Sequence, residues 1–108
     1  MEFLNKVELR GHVGNIRVQE YGDSKVARIA VATDYTYRDR TGGVVLDAGL
    51  HNVIAWEGRN IQCLDRIQKG TQVYVEGRIR HQKYTDVQGV EHRITEIIAS
   101  NVEIIKRK

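Results

Sequence analysis

The sequence contains no proline, a single cysteine and no apolar run near the ~18 residues that a membrane span requires. Each absence removes a class of protein. With Cys63 alone, no internal disulfide can form and no thiolate cluster can hold zinc; in its apolar-patterned stretch Cys63 reads as a small core hydrophobe. The start, Met1-Glu2-Phe3-Leu4-Asn5-Lys6, has neither the basic head nor the long apolar stretch of a secretory signal. A soluble, cytoplasmic protein with no membrane association is expected. The missing proline suits long strands, whose ladders proline would interrupt. A strong net charge is also lacking. Seventeen Lys and Arg face fourteen Asp and Glu, and Lys106, Arg107 and Lys108 account for the whole excess. What matters is therefore where the cations gather, since a local basic groove can follow phosphates on a nearly neutral protein.

At 108 residues the chain suits one core and is too short for two ordinary domains. A single domain over residues 1–108 is expected, ending in a short basic tail at 106–108. Lys6 to Val13 alternates, with Val7, Leu9, Gly11 and Val13 on one face, and Ile16 to Tyr21 continues the pattern after a break at Gly14-Asn15. This predicts one long first strand with a bulge or bend. Beyond a turn at Gly22-Asp23-Ser24, Lys25 to Thr33 reads as a second strand facing the core through Ala27, Ile29, Val31 and Thr33. From Asp34 the pattern dissolves, and residues 35–49 read as an extended hairpin excursion turning at Thr41-Gly42-Gly43. An excursion of that length is more often functional than accidental. His51 to Trp56 is a third strand, apolar on both faces and so covered on both by core, partner or ligand.

In EGRNIQCLDRIQKG the period changes. Ile61, Leu64 and Ile67 recur at helical spacing ahead of Gly70, a good helix stop. Gln72 to Tyr84 then forms a fourth strand, Asp86-Val87-Gln88-Gly89 a turn, and Val90 to Ile105 a fifth strand. Three strands, a short helix and two strands are the order of an all-β OB-fold, a five-stranded Greek-key barrel with its helix between strands 3 and 4.

The fourth strand carries an unusual face. Val75, Gly77 and Ile79 point one way, while Tyr74, Glu76, Arg78, Arg80, Gln82 and Tyr84 point the other. Tyrosines and arginines together are what an unpaired nucleic-acid strand requires, with π-faces for its bases and cations for its phosphates. Lys83 at the strand tip adds to the cluster. Arg38 and Arg40 beside Tyr37 extend the same chemistry onto the excursion, and Arg59 follows Trp56.

Five segments match a known pattern: NKVELRGHVG (Asn5 to Gly14), ATDYTYRD (Ala32 to Asp39), HNVIAWEG (His51 to Gly58), KGTQVYVEGRIR (Lys69 to Arg80) and KYTDVQGVEHRITEIIA (Lys83 to Ala99). They closely resemble the bacterial single-stranded DNA-binding protein family, in order and without large gaps from about Asn5 to Ile105. The resemblance implies an OB-fold that assembles, usually as a homotetramer with a dimer as the alternative, and wraps single-stranded DNA in replication, recombination and repair. It implies no catalysis, no cofactor and a nucleoid-associated place in the cytoplasm. The family stacks bases on aromatics, and those positions correspond here to Tyr37, Trp56 and Tyr84. A further family aromatic, just before the histidine that opens the third strand, is Leu50 here, so one platform is lacking. Family members commonly end in a Gly- and Gln-rich tail with an acidic, apolar tip that recruits replication and repair enzymes. This sequence ends Ile105-Lys106-Arg107-Lys108, which leaves such partners open.

Each assignment has a rival. Trp56 lies on a strand apolar on both sides, where core or subunit packing competes with stacking. Tyr74, by its phase, fits packing against a neighbouring subunit better than DNA contact. Tyr37 and Tyr84 lie among polar residues, where a core role is disfavoured. A lone arginine is ordinarily a solvated charge, so the reading rests on the cluster. Lys6 and Arg10 are weaker candidates, because the first strand of such proteins often pairs subunits, and Tyr21 and Tyr35 are assigned neither way. An enzyme finds no support. His12, His51, His81 and His92 fall at no metal-ligand spacing, and there is neither a phosphate loop nor a nucleophile elbow. A protein-interaction or primosome-type accessory subunit remains as the alternative, along with a tRNA or oligosaccharide reader. Salt-sensitive binding to homopolymer single strands that quenches Trp56 separates them.

Overall fold

The computed structural model describes residues 1–105; the basic tail at 106–108 lies outside them. Five strands, β1 (Val7–Tyr21), β2 (Ser24–Arg38), β3 (Val44–Trp56), β4 (Gln72–Thr85) and β5 (Glu91–Ile104), close into a barrel in the order β1-β2-β3-β5-β4. All neighbours are antiparallel except β3 and β5, which meet in parallel at Val53↔Ile97 and Ile54↔Ile98. The fold is the expected all-β barrel.

Closure depends on β1 serving two partners. Its first half, Val7 to His12, pairs with β4, and its second half, from His12 onward, pairs with β2. Between Val13 and Asn15 the register shifts at Gly14, and such a bulge bends a strand and increases its twist, as a barrel corner requires. The break read at Gly14-Asn15 is this bulge. Two glycines let the backbones crowd. A Cβ on Gly11 would run into the carbonyl oxygen of Ala32, and one on Gly77 into that of Ile98. Inside lie Val13, Ala27, Ile29, Val31, Val53, Ala55, Val73, Val75, Ile97 and Val102, the apolar members of the alternating strands.

One element differs from the sequence reading. The helix expected around Ile61, Leu64 and Ile67 is a single 3₁₀ turn at Leu64–Arg66. All three apolar residues are buried in the core, but their uniform spacing of three is the period of a 3₁₀ turn as much as of an α-helix face. The excursion is a ladder-paired hairpin. β2 and β3 run unbroken through it, from Val26↔Trp56 to Arg38↔Val44. A two-stranded ribbon held by backbone hydrogen bonds exposes both faces, so it imposes no alternation on its side chains. At its tip, the Asp39 carboxylate accepts hydrogen bonds from the Thr41 and Gly43 amides and the Thr41 hydroxyl. Those donors, the Thr41 side chain foremost, hold Asp39 below its usual pKa.

Candidate nucleic-acid interface

Residues paired in register point to the same side of a sheet. Ala27, Ile29, Val53, Val75 and Ile97 face the core, so their sequence neighbours face outward. The pairs Arg28↔Ile54, Ile54↔Ile98, Arg78↔Ile98, Arg80↔Glu96 and Tyr84↔His92 carry that outer face continuously across β2, β3, β5 and β4. Leu50 and Trp56, at even steps along β3 from Ile54, belong to it too. The fold thus brings Trp56, Arg78, Arg80 and Tyr84 onto one surface.

Trp56 ends β3 with 47% of its surface exposed, and its ring centroid lies 6.2 Å from that of Tyr21 at an interplanar angle of 43°. Tyr84, 49% exposed, stacks on His92 with centroids 4.9 Å apart and planes 18° from parallel. Nε2 of His92 lies 2.8 Å from Oδ2 of Asp86, whose Oδ1 accepts from the Gln88 and Val90 amides. The hydrogen bond from His92, followed by those amides, keeps Asp86 below its usual pKa. The β4–β5 turn is therefore anchored to the ring beneath Tyr84. Leu50 stands 65% exposed on the same face, an apolar contact without a ring.

The remaining sequence candidates are dispersed. Tyr37 pairs with Val45 and so lies on the opposite side of the ribbon from Leu50 and Trp56; it is exposed, with its ring 6.2 Å from Tyr35. Arg38 is on the outer face near the ribbon tip, Arg40 is in the tip itself, and Arg59 is in the loop after Trp56, all exposed. Lys83 points away from Arg80 and Tyr84 by alternation and pairs with Glu91 at 3.6 Å. Arg80 corrects the picture of a free exposed cation. It is half-buried, donating from Nη2 to Oε1 of Glu96 at 3.0 Å. Tyr74 sits at the other end of β4, where its hydroxyl donates to Glu8 and Glu76. Burial first, then the bond to Glu8, pushes its pKa up to about 12, so it is a fixed donor between β1 and β4. Cys63 is buried with its Sγ 3.4 Å from the Val102 carbonyl. Burial pushes its thiol up, away from nucleophilic reactivity.

Three charged residues on this side of the barrel escaped the sequence reading. Glu96 is 5% exposed, the one buried charged side chain among the described residues. Besides Arg80 it pairs with Nη1 of Arg28 at 3.5 Å. Arg28 and Arg17 line a concavity of about 330 Å³ with Glu96, Asn15 and Asn52. A signal existed for Arg28, a lone cation between the core residues Ala27 and Ile29; Glu96 lay inside a familiar segment and its pairing had no local signature. Among the described residues no three His, Cys, Asp or Glu side chains gather as a metal site would require.

The model of the Single-strand binding protein family matches residues 4–105. The chain belongs to that family. A single-stranded DNA-binding protein of Xanthomonas campestris pv. campestris is 34% identical over 104 residues, covering 94% of this chain and 60% of the relative. Single-stranded DNA-binding protein 1 of Xylella fastidiosa is 33% identical over 112 residues, covering 100% of this chain and 82% of the relative. The chain thus spans about 60% of the length of the Xanthomonas relative. Among solved structures, a Plasmodium falciparum SSB in complex with ssDNA superposes with a TM-score of 0.84 at 30% identity, covering 98% of each chain. The barrel is the OB-fold of this family.

Proposed function

We propose that this chain binds single-stranded DNA without sequence preference, by stacking bases on Trp56 and Tyr84 and neutralising phosphates with the arginines between and beside them. The observation that carries this reading is the exposure of two rings and a set of guanidinium groups on one continuous outer face. Every base has a π-face, so stacking does not discriminate sequence, and each stacked base contributes ~1–3 kcal/mol. Family membership and the likeness to a structure solved with ssDNA support the same reading. Arg38 and Arg40 extend the path onto the β2–β3 ribbon and Arg59 flanks Trp56, while Tyr37 and Lys83, facing the other way, serve a strand only where it wraps around an edge. Family membership and the likeness to a structure solved with ssDNA favour this reading over an interaction-only subunit.

The chain acts by binding alone, without catalysis or cofactor, as a single domain that assembles with copies of itself, as a tetramer in the family pattern. Its setting is the protection of DNA strands during replication, recombination and repair in the cytoplasm. Fluorescence anisotropy with labelled homopolymers of thymine, adenine and cytosine, set against a duplex of equal length, tests the reading. Comparable affinity for the single strands, well above that for the duplex, is expected; a preference for duplex would overturn it.

A further inference from the structure

We infer that the concavity between β1, β2, β3 and β5 is a phosphate site for the strand's backbone, with Arg17 and Arg28 as its contacting cations. The inference rests on the single-strand reading above and adds a site that is blind to bases altogether. Arg17 and Arg28 are direct cross-strand partners in the β1–β2 ladder. Like charges in that position repel and destabilise a sheet. Arg28 is partly compensated by Glu96, but Arg17 has no carboxylate partner among the described residues. Arg17 and Arg28 line the concavity with Glu96 as its single carboxylate, and that carboxylate is also paired with Arg80, so the wall carries a surplus of positive charge.

Glu96 gives this surplus a fixed shape. A carboxylate 95% withdrawn from solvent must be compensated, and it is compensated by arginines from two different strands, at 3.0 and 3.5 Å. The pairing holds the head of Arg28 against the sheet while leaving 59% of that side chain open to solvent. An arginine already ordered loses less freedom on meeting a second acceptor. The amides of Asn15 and Asn52 on the same wall supply further neutral donors. No aromatic ring lines the concavity, so it offers a base no aromatic platform. A surplus of guanidinium charge favours an anion, and a phosphodiester supplies oxygens that guanidinium groups bind well. Its position fits a strand's path, because Arg28 faces Ile54, two residues along the same face from Trp56.

The test uses labelled oligo-dT and an abasic oligomer of the same length, titrated at graded salt. Arg17→Gln/Arg28→Gln should flatten the slope of log affinity against log salt by about 1.4, at ~0.7 per lost phosphate contact on a single strand, and weaken abasic binding at least tenfold at low salt. Arg17→Gln alone, which breaks no ion pair, should flatten the slope by about 0.7 and keeps the test valid if the double variant folds poorly. Arg66→Gln/Lys69→Gln removes equal charge elsewhere and should leave the slope as in the wild type. If the Arg17 and Arg28 variants match the wild type or this control, the site is overturned while the single-strand reading stands. Failure of the wild type to bind oligo-dT would overturn both.

Discussion

The ring of Tyr84 lies nearly parallel to that of His92, 4.9 Å away and 18° from coplanar orientation, and His92 is itself tied to Asp86. One face of the tyrosine is thus backed by a fixed partner, which leaves the other for a base. Tyr84→Ala should weaken binding to oligo-dT by ~1–3 kcal/mol, or about 5- to 150-fold. Trp56→Ala should act similarly. Both rings are half exposed, so the thermal midpoint should move little. Anisotropy titrations beside circular-dichroism melts check this.

Leu50 offers the reverse experiment. It is 65% exposed on the face that carries Trp56 and Tyr84, and it presents contact area without a π-system. Leu50→Trp should tighten single-strand binding by ~1 kcal/mol, the low end of a stacking increment, or about fivefold. Equilibrium titration of the variant and the wild type under the same salt measures it.

The barrel should respond sharply to one methyl group. A side chain on Gly77 would meet the Ile98 carbonyl oxygen and the backbone of Ala99, neither of which can rotate aside. Gly77→Ala should cost ~1–3 kcal/mol as an overpacking change and lower the melting midpoint by at least about 4 °C. By contrast, nothing stands near the Cβ position of Gly58, and Gly58→Ala should melt as the wild type does. Parallel melting curves decide.

Acid should loosen the two hairpin tips. Asp39 and Asp86 are both held below the ordinary Asp value of 3.8, Asp39 chiefly by Thr41 and Asp86 chiefly by His92. A carboxyl whose folded pKa is depressed contributes stability that is complete above the unfolded value and is lost as pH falls through the folded one. The loss therefore begins near pH 3.8 and deepens below it. Asp86→Asn, which retains an oxygen acceptor but cannot titrate, should flatten the fall of the melting midpoint below about pH 3.8. Melts at a series of pH values for both proteins check the difference.

The barrel was legible because its strands bury one face, which writes period-two alternation into Val7 to Val13, Lys25 to Thr33 and Gln72 to Ile79. Where burial stops, so does the code. The β2–β3 ribbon exposes both faces, so its regular ladder left no pattern beyond Thr33. The spacing of Ile61, Leu64 and Ile67 reported correctly that they are buried but could not tell an α-helix from one 3₁₀ turn. On the outer face, alternation on β4 grouped Arg78, Arg80 and Tyr84. The pairing of Arg28 and Arg80 through Glu96 joins residues 68 and 16 positions apart, and no local pattern encodes such a meeting. Tyr37 shows the converse limit: its neighbours marked it as exposed, but only the register places it on the other side of the ribbon from Trp56.

The most direct measurement of the central claim is a titration of the wild-type protein with oligo-dT, following the fluorescence of Trp56, the one tryptophan in the chain. Rings and cations sharing an outer face predict saturable quenching at low salt, with an affinity that falls linearly on a log–log plot as salt rises. Unchanged fluorescence on addition of oligo-dT at low salt, or quenching indifferent to salt, would contradict it.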